Sequence, residues 1–308
     1  MDTSLQMPVD TLNPQGFDRL AAGLAAAEGG RIRIDLSACN FIDPFGIVGL
    51  LFLLRHAASH YFTVICDLPK TEAVREYLNV MGLFRQAGEY AVFNPAPAED
   101  GGENIGTGCD FALALTPIRS EDDVAAVVRE LIVRVRTILT RNLQYNSTLL
   151  NKICVALAEI CQNIPQHSGD WGMVALQSYR SRNGRGDRFV KLAVGDLGIG
   201  IKNSLVSRPG SVRMSDSAAI RAALRFGISR FGEPGRGLGL AAVAAQAKAL
   251  GGSLQVRSGR ARVLLRGPKR YIFDVPYFPG TLVSLELPAQ QLFILSGTDT
   301  EGSFPNQN

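Results

Sequence analysis

The sequence predicts an α/β protein with two domains. The chain has 308 residues, which is long for a single domain. Segments in which apolar and polar residues alternate, as in strands, are interspersed with segments whose apolar residues have the spacing of a helix. The stretch 94–108 is rich in Pro, Gly and acidic residues and has no apolar periodicity, so we predict a linker there. The predicted domains are 1–93 and 109–290, followed by a disordered tail over 291–308.

In the first domain, the order strand, helix, strand, helix predicts a mainly parallel sheet covered by helices. Gly29 and Gly30 end the first helix, and Asp43 caps the second helix, which has Pro44 at its first position. The predicted elements are a helix over 17–27, a strand over 31–36, a helix over 44–59, a strand over 62–66 and a helix over 69–83.

The second domain is predicted to be a two-layer α/β sandwich, in which helices pack against one mixed sheet. An Ala-rich helix is expected inside the polar stretch 202–234. The other predicted helices span 121–141, 147–167 and 238–250. The predicted strands span 111–115, 174–179, 189–196, 253–256, 261–265, 271–273 and 281–287.

Composition excludes several classes of protein. The net charge of +4 is mild, and the arginines of 129–141 and 180–188 are spread along amphipathic patterns, so we expect no nucleic-acid binding. The longest apolar run, 47–54, is shorter than the roughly 18–20 residues that span a membrane, and the N-terminus has no signal-peptide pattern.

Five cysteines without a CxxC pair predict reduced thiols in a cytoplasmic protein. Cys154 and Cys161 share a helix face, which predicts that both are buried.

Two polar residues lie one turn apart in the helix predicted over 147–167. Glu159 and Asn163 are four residues apart, so their side chains project from one face. The amide oxygen of Asn163 suits Mg²⁺, which takes hard oxygen ligands and keeps several waters. Glu159 can orient or deprotonate a nucleophile that attacks a terminal phosphate. Taken alone, such a pair is more often a solvated helix face.

An acidic residue stands where a predicted strand meets a glycine turn. Asp196 ends the apolar strand 189–196 and precedes Gly198 and Gly200. A carboxylate at a strand end can accept a hydrogen bond from an exocyclic amine such as N6 of adenine. Glycines let the backbone lie close to a flat ring. An ordinary Asp-x-Gly turn has the same sequence and is common.

A glycine-rich loop leads into the helix predicted over 238–250. Backbone N–H groups at a helix N-terminus bind phosphate, and the helix dipole favours the negative charge. The loop lacks the Gly-Lys-Ser/Thr ending of a Walker loop, and it does not follow a strand as a dinucleotide-binding loop does. A flexible loop before a helix is the alternative. Arg236 fits either a phosphate contact or a solvent-facing position in a lid.

In their order and spacing, the three motifs resemble the N, G1 and G2 boxes of the GHKL ATPase superfamily of gyrase, histidine kinases and MutL. The segment 280–288 begins with Gly-Thr and resembles the closing strand of that fold. The resemblance covers about 110–290. It implies an ATP site between helices and sheet, with 202–234 as a mobile lid over the phosphates.

The resemblance also implies roles for single residues, with ATP and Mg²⁺ as cofactors. Asn163 would bind the metal, Glu159 would be the catalytic carboxylate, and Asp196 would recognise adenine beside Thr281. The other residues expected to contact the nucleotide are Gly198, Gly200, Gly235, Arg236, Gly237, Leu238 and Gly239.

The segments 34–46 (IDLSACNFIDPFG) and 68–84 resemble the STAS domains of anti-sigma factor antagonists, over about 30–86. In that family a serine before the glycine of an Asp-Ser-Ser-Gly-like motif accepts phosphate. Here that position is Phe45, and a phenyl ring cannot be phosphorylated, so we expect the usual switch to be absent. We expect the strands before Arg31 to be short or missing.

Three functions are compatible with these motifs. The first is an ATP-binding regulatory protein similar to anti-sigma factor serine kinases, which phosphorylates or sequesters a protein partner such as a sigma factor or a STAS-type regulator. The second is a non-catalytic module whose interactions are gated by nucleotide. The third is a histidine-kinase-like catalytic domain that acts on a separate chain; it is disfavoured in cis because His56, His60 and His167 do not lie on a helical hairpin before the ATPase domain. Each is compatible with a homodimer.

Overall fold

The structure is a computed structural model of the 308-residue chain. It describes residues 2–5, 9–27, 30–97, 112–137, 147–180, 188–206, 214–225 and 239–288. The described residues form a mixed α/β protein with several sheets, which confirms the predicted class. Most of the predicted linker and the whole predicted tail lie outside these ranges, and the domain boundaries remain a prediction.

The first part of the chain forms a four-stranded sheet in which every pairing is parallel, as the alternation of strands and helices predicts. Its strand order is β1-β3-β5-β6, and a separate two-stranded pair joins β2 to β4. The strands are β1 (Asp2–Leu5), β2 (Thr11–Leu12), β3 (Arg31–Asp35), β4 (Phe41–Ile42), β5 (Thr63–Asp67) and β6 (Val92–Asn94). The helices are α1 (Pro14–Ala26), α2 (Pro44–Ala58), α3 (Glu72–Val80) and α4 (Leu83–Ala87).

The strands before Arg31 are short, as expected: β1 has four residues and β2 has two, and β1 pairs with β3. One detail of this part differs from the expectation. The helix expected over 69–83 is divided into α3 and α4 by Gly82, whose φ of +78° is left-handed and ends a helix.

The second part forms a five-stranded sheet in the order β10-β11-β9-β8-β7, and all its pairings are antiparallel instead of mixed. The strands are β7 (Ala112–Ile118), β8 (Gly172–Arg180), β9 (Arg188–Asp196), β10 (Ser253–Arg266) and β11 (Lys269–Pro288). The four short strands expected between 253 and 287 are therefore two long strands, β10 and β11. The pairing continues past Ser258 with shifts of register, which indicate a bulge where the sequence suggested a break.

The helices of the second part are α5 (Glu121–Thr137), α6 (Ser147–Asn163), α7 (Gly200–Val206), α8 (Asp216–Ala223) and α9 (Gly239–Ala249). The helix expected over 147–167 is α-helical only to Asn163 and continues as a π-helical segment, Ile164–Ser168. Pro165 lacks the N–H that an α-helical bond there would need. Side chains of α5, α6 and α9 form one core with one face of the five-stranded sheet.

The opposite face of that sheet packs against α1 and α2. Leu115, Met173, Ala193 and Leu282 of the sheet belong to the same buried cluster as the apolar side chains of the first part. The two-layer expectation for the second part therefore omits a layer, because α1 and α2 cover the second face of the sheet.

Two further expectations concern cysteines and membranes. Among the described residues, all four cysteines are free and buried, including Cys154 and Cys161, as predicted; Cys109 lies outside the described ranges. No described helix is both long enough and apolar enough to cross a bilayer.

A buried carboxylate joins α1 to the long hairpin of β10 and β11. Asp18 accepts from Nε of Arg257 at 2.9 Å and from Nε of Arg262 at 2.7 Å. The side chain of Arg257 is only 1 % exposed and lies over the rings of Phe17 and Phe278. Two guanidinium groups therefore share one counter-charge inside the protein, where an uncompensated charge is costly.

We predict that Asp18→Asn lowers the free energy of unfolding by about 3 kcal/mol or more, because it leaves both guanidinium groups without a buried negative charge. Urea unfolding followed by circular dichroism measures the change. The matched control is Asp274→Asn on the exposed part of β11, which should change stability by about 0.5 kcal/mol or less. Equal effects of the two substitutions would contradict this role of Asp18.

Candidate functional site

The first and third sequence motifs meet where α9 begins. Glu159 and Asn163 lie on one face of α6, and both are half-buried. A Cβ added to Gly239, the first residue of α9, would lie 3.3 Å from Nδ2 of Asn163 and 3.6 Å from Oε2 of Glu159. The helix N-terminus is therefore next to the amide and the carboxylate, and a side chain at Gly239 would crowd the amide and touch the carboxylate.

Asp196 is the last residue of β9 and is 8 % exposed. Its Oδ1 accepts the backbone N–H of Gly198 at 2.8 Å. Side chains alternate along a strand, and Val194 belongs to the core beneath α6 and α9, so Asp196 points to that same face. Thr281 of β11 is directly opposite Asp196 in the register. The second motif and the predicted Thr281 thus lie side by side.

The carboxyl group of Asp196 has an unusual electrostatic environment. Burial raises its pKa to about 7, and the negative charge of Asp170 adds to the increase. The backbone amides of Gly198 and Thr281 act in the opposite direction. A buried carboxylate that ionises near neutral pH gains from any ligand that donates a hydrogen bond to it.

The π-helical segment connects the first motif to the second. The side chain of Ile164 packs where a Cβ on Gly172 would lie, at the start of β8. At the end of the segment, the carbonyl of Ser168 accepts the backbone N–H of Ile199 at 2.8 Å. The same carbonyl occupies the space of a side chain at Gly198, so only glycine fits there. Contacts made by the π-helical segment therefore link the helix that carries Asn163 to the loop that follows Asp196.

A serine that the sequence analysis missed closes the far side of this loop. The hydroxyl of Ser258 in β10 donates to the carbonyl of Gly280 and accepts the N–H of Ile201, both at 3.0 Å. It also lies 3.3 Å from Oγ1 of Thr281. No motif marks this serine, because its neighbours are brought together only by the pairing of β10 with β11. Gly200, predicted to contact the nucleotide, begins α7 beside it.

Four of the predicted nucleotide-binding residues lie outside the described residues. They are Gly235, Arg236, Gly237 and Leu238. The predicted lid, 202–234, is described only in part, where it contains most of α7 and all of α8. The structure thus brings Glu159, Asn163 and Gly239 together and places Asp196 beside Thr281.

The donor set can be compared with the needs of the expected cofactors. Among the described residues, no group of three or more His, Cys, Asp or Glu is arranged to hold a metal ion. Asn163 is the single protein ligand expected for Mg²⁺, which in nucleotide sites takes its remaining ligands from water and phosphate oxygens. The side-chain amide of Asn163 lies beside a helix N-terminus and a carboxylate, and an amide oxygen is a suitable ligand for such a phosphate-bound ion.

Comparison with known proteins adds no assignment to this geometry. No protein-family model matches the chain, and no curated protein matches it in sequence.

Proposed function

We propose that this protein binds ATP with Mg²⁺ between α6, α9 and the ends of β9 and β11, in the manner of the GHKL ATPases. One observation supports this most strongly. The N-terminus of α9 at Gly239 adjoins Glu159 and Asn163, while Asp196 is buried at the end of the neighbouring sheet strand. A phosphate-binding helix end and a buried hydrogen-bond acceptor are the two ends of a nucleotide site.

The phosphate end of the site would use α6 and α9. The amide oxygen of Asn163 would hold Mg²⁺, which would neutralise charge on the phosphates. Backbone N–H groups at the start of α9 would donate to phosphate oxygens, since they have no partner within the helix. Glu159 would orient an attacking hydroxyl or water toward the terminal phosphate and accept its proton.

The base end of the site would use Asp196. When ionised, its carboxylate accepts hydrogen bonds only, so it would pair with the amino group of adenine. Thr281 lies opposite Asp196 in the sheet, and the hydroxyl of Ser258 is 3.3 Å from that of Thr281, so these two hydroxyls can orient water or the base. Because burial raises the pKa of Asp196 to about 7, we expect ATP to bind more tightly as the pH rises toward 8.

The first part of the chain would be a STAS-like domain that does not receive phosphate. Phe45 takes the acceptor position and is 1 % exposed. Its neighbour Asp43 caps α2 through the N–H of Gly46 and pairs with Lys191 of β9 at 3.3 Å. This end of α2 is thus occupied by the protein's own sheet. An acceptor for the phosphoryl group would therefore be another chain, such as a sigma factor or a STAS-type regulator.

A non-catalytic module gated by nucleotide is the second candidate, because the same site could bind ATP without transfer. Glu159 favours chemistry, since a carboxylate is retained at the expected position of the catalytic base. A histidine-kinase-like activity toward its own chain has less support: His56 and His60 lie at the end of α2, and His167 lies in the π-helical segment.

The proposed function is tested with ATP labelled on its γ-phosphate, incubated with the full chain alone and with fractionated bacterial lysate. We expect label on one partner protein and none on this chain. Stoichiometric ATP binding with all label retained on ATP would favour the non-catalytic candidate. Absence of any ATP binding would contradict the proposal.

We predict opposite effects of Asp196→Asn on binding and stability. In the variant the N–H of Gly198 would hold the amide oxygen, so the NH₂ group, which cannot accept, would face the amino group of adenine, and ATP binding in calorimetry should be lost. The folded-state pKa of Asp196 lies above its unfolded value of 3.8, so ionisation costs stability as the pH rises toward and through 7. The variant should therefore be more stable than wild type by roughly 2–4 kcal/mol at pH 8, and by little at pH 4. If the difference in stability between the variant and wild type were the same at pH 4 and pH 8, the raised pKa of the buried Asp196 would be contradicted.

We predict that Glu159→Gln keeps ATP binding but lowers any turnover by roughly 100-fold or more, because the amide cannot accept a proton. Calorimetry measures binding, and release or transfer of labelled phosphate measures turnover. Glu130→Gln on the exposed face of α5 is the matched control and should leave both unchanged. Unchanged turnover in Glu159→Gln would remove this residue from the chemistry.

A further inference from the structure

Arg55 reaches from α2 to the turn that follows the π-helical segment. Its Nη1 and Nη2 donate to the two carboxylate oxygens of Asp170 at 2.8 and 3.0 Å, which makes a bidentate pair. The guanidinium also lies 4.6 Å from the centre of the Trp171 ring. Both partners of the ion pair are only about a quarter exposed, at 24 % and 23 %, so water screens the pair less than it would at the surface.

The turn held by Arg55 is also the support of the loop of Asp196. The hydroxyl of Ser168 donates to the backbone carbonyl of Asp170 and accepts its N–H, which closes the turn. The carbonyl of Ser168 accepts the N–H of Ile199, so the loop rests on the same residue. A shift of the Asp170 turn would therefore move the backbone next to Asp196.

The same face of α2 contacts the strand of Asp196 from the other side of the sheet. A Cβ on Gly195 would lie 3.1 Å from Val48 and 3.2 Å from Phe52. The Phe52 ring is 5.7 Å from that of Trp171. Val48, Phe52 and Arg55 are spaced by four and three residues, so they form one stripe along the helix. This stripe touches both the residue before Asp196 and the turn beneath its loop.

We propose that Arg55 is a positioning residue of the nucleotide site, and that through it the first, STAS-like part of the chain sets the affinity for ATP. The inference rests on the proposed function. Arg55 does not touch Asp196; it acts by fixing the Asp170 turn and by compensating the charge of Asp170. A partner that drew the partly exposed Arg55 away from Asp170 would release this turn and weaken nucleotide binding, which gives the protein a route for regulation.

The charges around this contact determine the sign of the effect. Asp170 is the charged group that raises the pKa of Asp196. Tyr90 and Glu89, in the segment after α4, are the other titratable groups near the ion pair. Burial raises the pKa of Tyr90 to about 12, so this side chain stays neutral below pH 9. Loss of Arg55 would leave the charge of Asp170 uncompensated and make Asp196 harder to ionise. Loss of the Asp170 charge would have the opposite effect.

The test is calorimetric titration of the full chain with Mg-ATP between pH 5.5 and 8.5. For Arg55→Gln we expect affinity at pH 7 to fall by roughly three- to tenfold and the pH at half-maximal affinity to move upward. For Asp170→Asn we expect that pH to move downward. A merely structural role would weaken binding in both variants without shifts of opposite sign. Arg33→Gln, which removes an ion pair to Asp67 in the same part of the chain, is the matched control and should match wild type.

The outcomes separate this inference from the proposed function. If wild type binds ATP but Arg55→Gln and Asp170→Asn keep the wild-type pH profile, the inference is overturned and the proposed function stands. If wild type does not bind ATP, both are overturned. If Arg55→Gln fails to fold, as thermal melting would reveal, the shift in Asp170→Asn decides.

Discussion

One helix, α2, must be buried on all sides, and the arrangement of the rest of the molecule depends on it. Twelve of its fifteen residues are buried, including the continuous run from Ile47 to Leu54. Such a helix cannot lie on a surface, because no stripe of it is polar. It therefore lies in the core that the parallel sheet shares with the five-stranded sheet. Without it, the five-stranded sheet would expose apolar side chains such as Met173 and Leu282 to water.

The position of α2 also determines which face of the sheet is free for a ligand. Along β9, Ala193 and Gly195 face α2, so Val194 and Asp196 must face α6 and α9. Ion pairs hold both ends of α2: Asp43 pairs with Lys191 of the sheet, and Arg55 pairs with Asp170 in the turn before β8. The proposed nucleotide site is thus on one face of a sheet whose other face packs against the first part of the chain.

Elements with strong local signals could be predicted from the sequence. Asp43 and Pro44 marked the start of α2, and its cap has the expected hydrogen bond. Helical spacing predicted that Glu159 and Asn163 share one face, and both lie on α6. Such predictions depend on helical periodicity or on a capping residue within a few positions. The approach of Gly239 to these two residues was expected only from the resemblance to the GHKL ATPases.

Features that depend on distant pairing could not be predicted. The apolar run of α2 indicates burial but not what covers it. Asp18 is 239 and 244 residues from its two arginines, and neither arginine stands in a motif. Asp170 and Ser258 likewise gain their roles only from the turn and the strand pairing around them. The sequence analysis predicted separate strands over 253–256 and 261–265, although β10 continues through both with a bulge between them.

The most direct test of the proposed role of Asp196 in binding adenine is calorimetric titration of the full chain at pH 8 with Mg-ATP and, separately, with Mg-GTP. Guanine presents a carbonyl oxygen where adenine presents an amino group, so the ionised Asp196 would face a second acceptor. The account predicts binding of ATP and roughly 100-fold weaker binding of GTP. Equal affinity for the two nucleotides, or no heat with ATP, would contradict it.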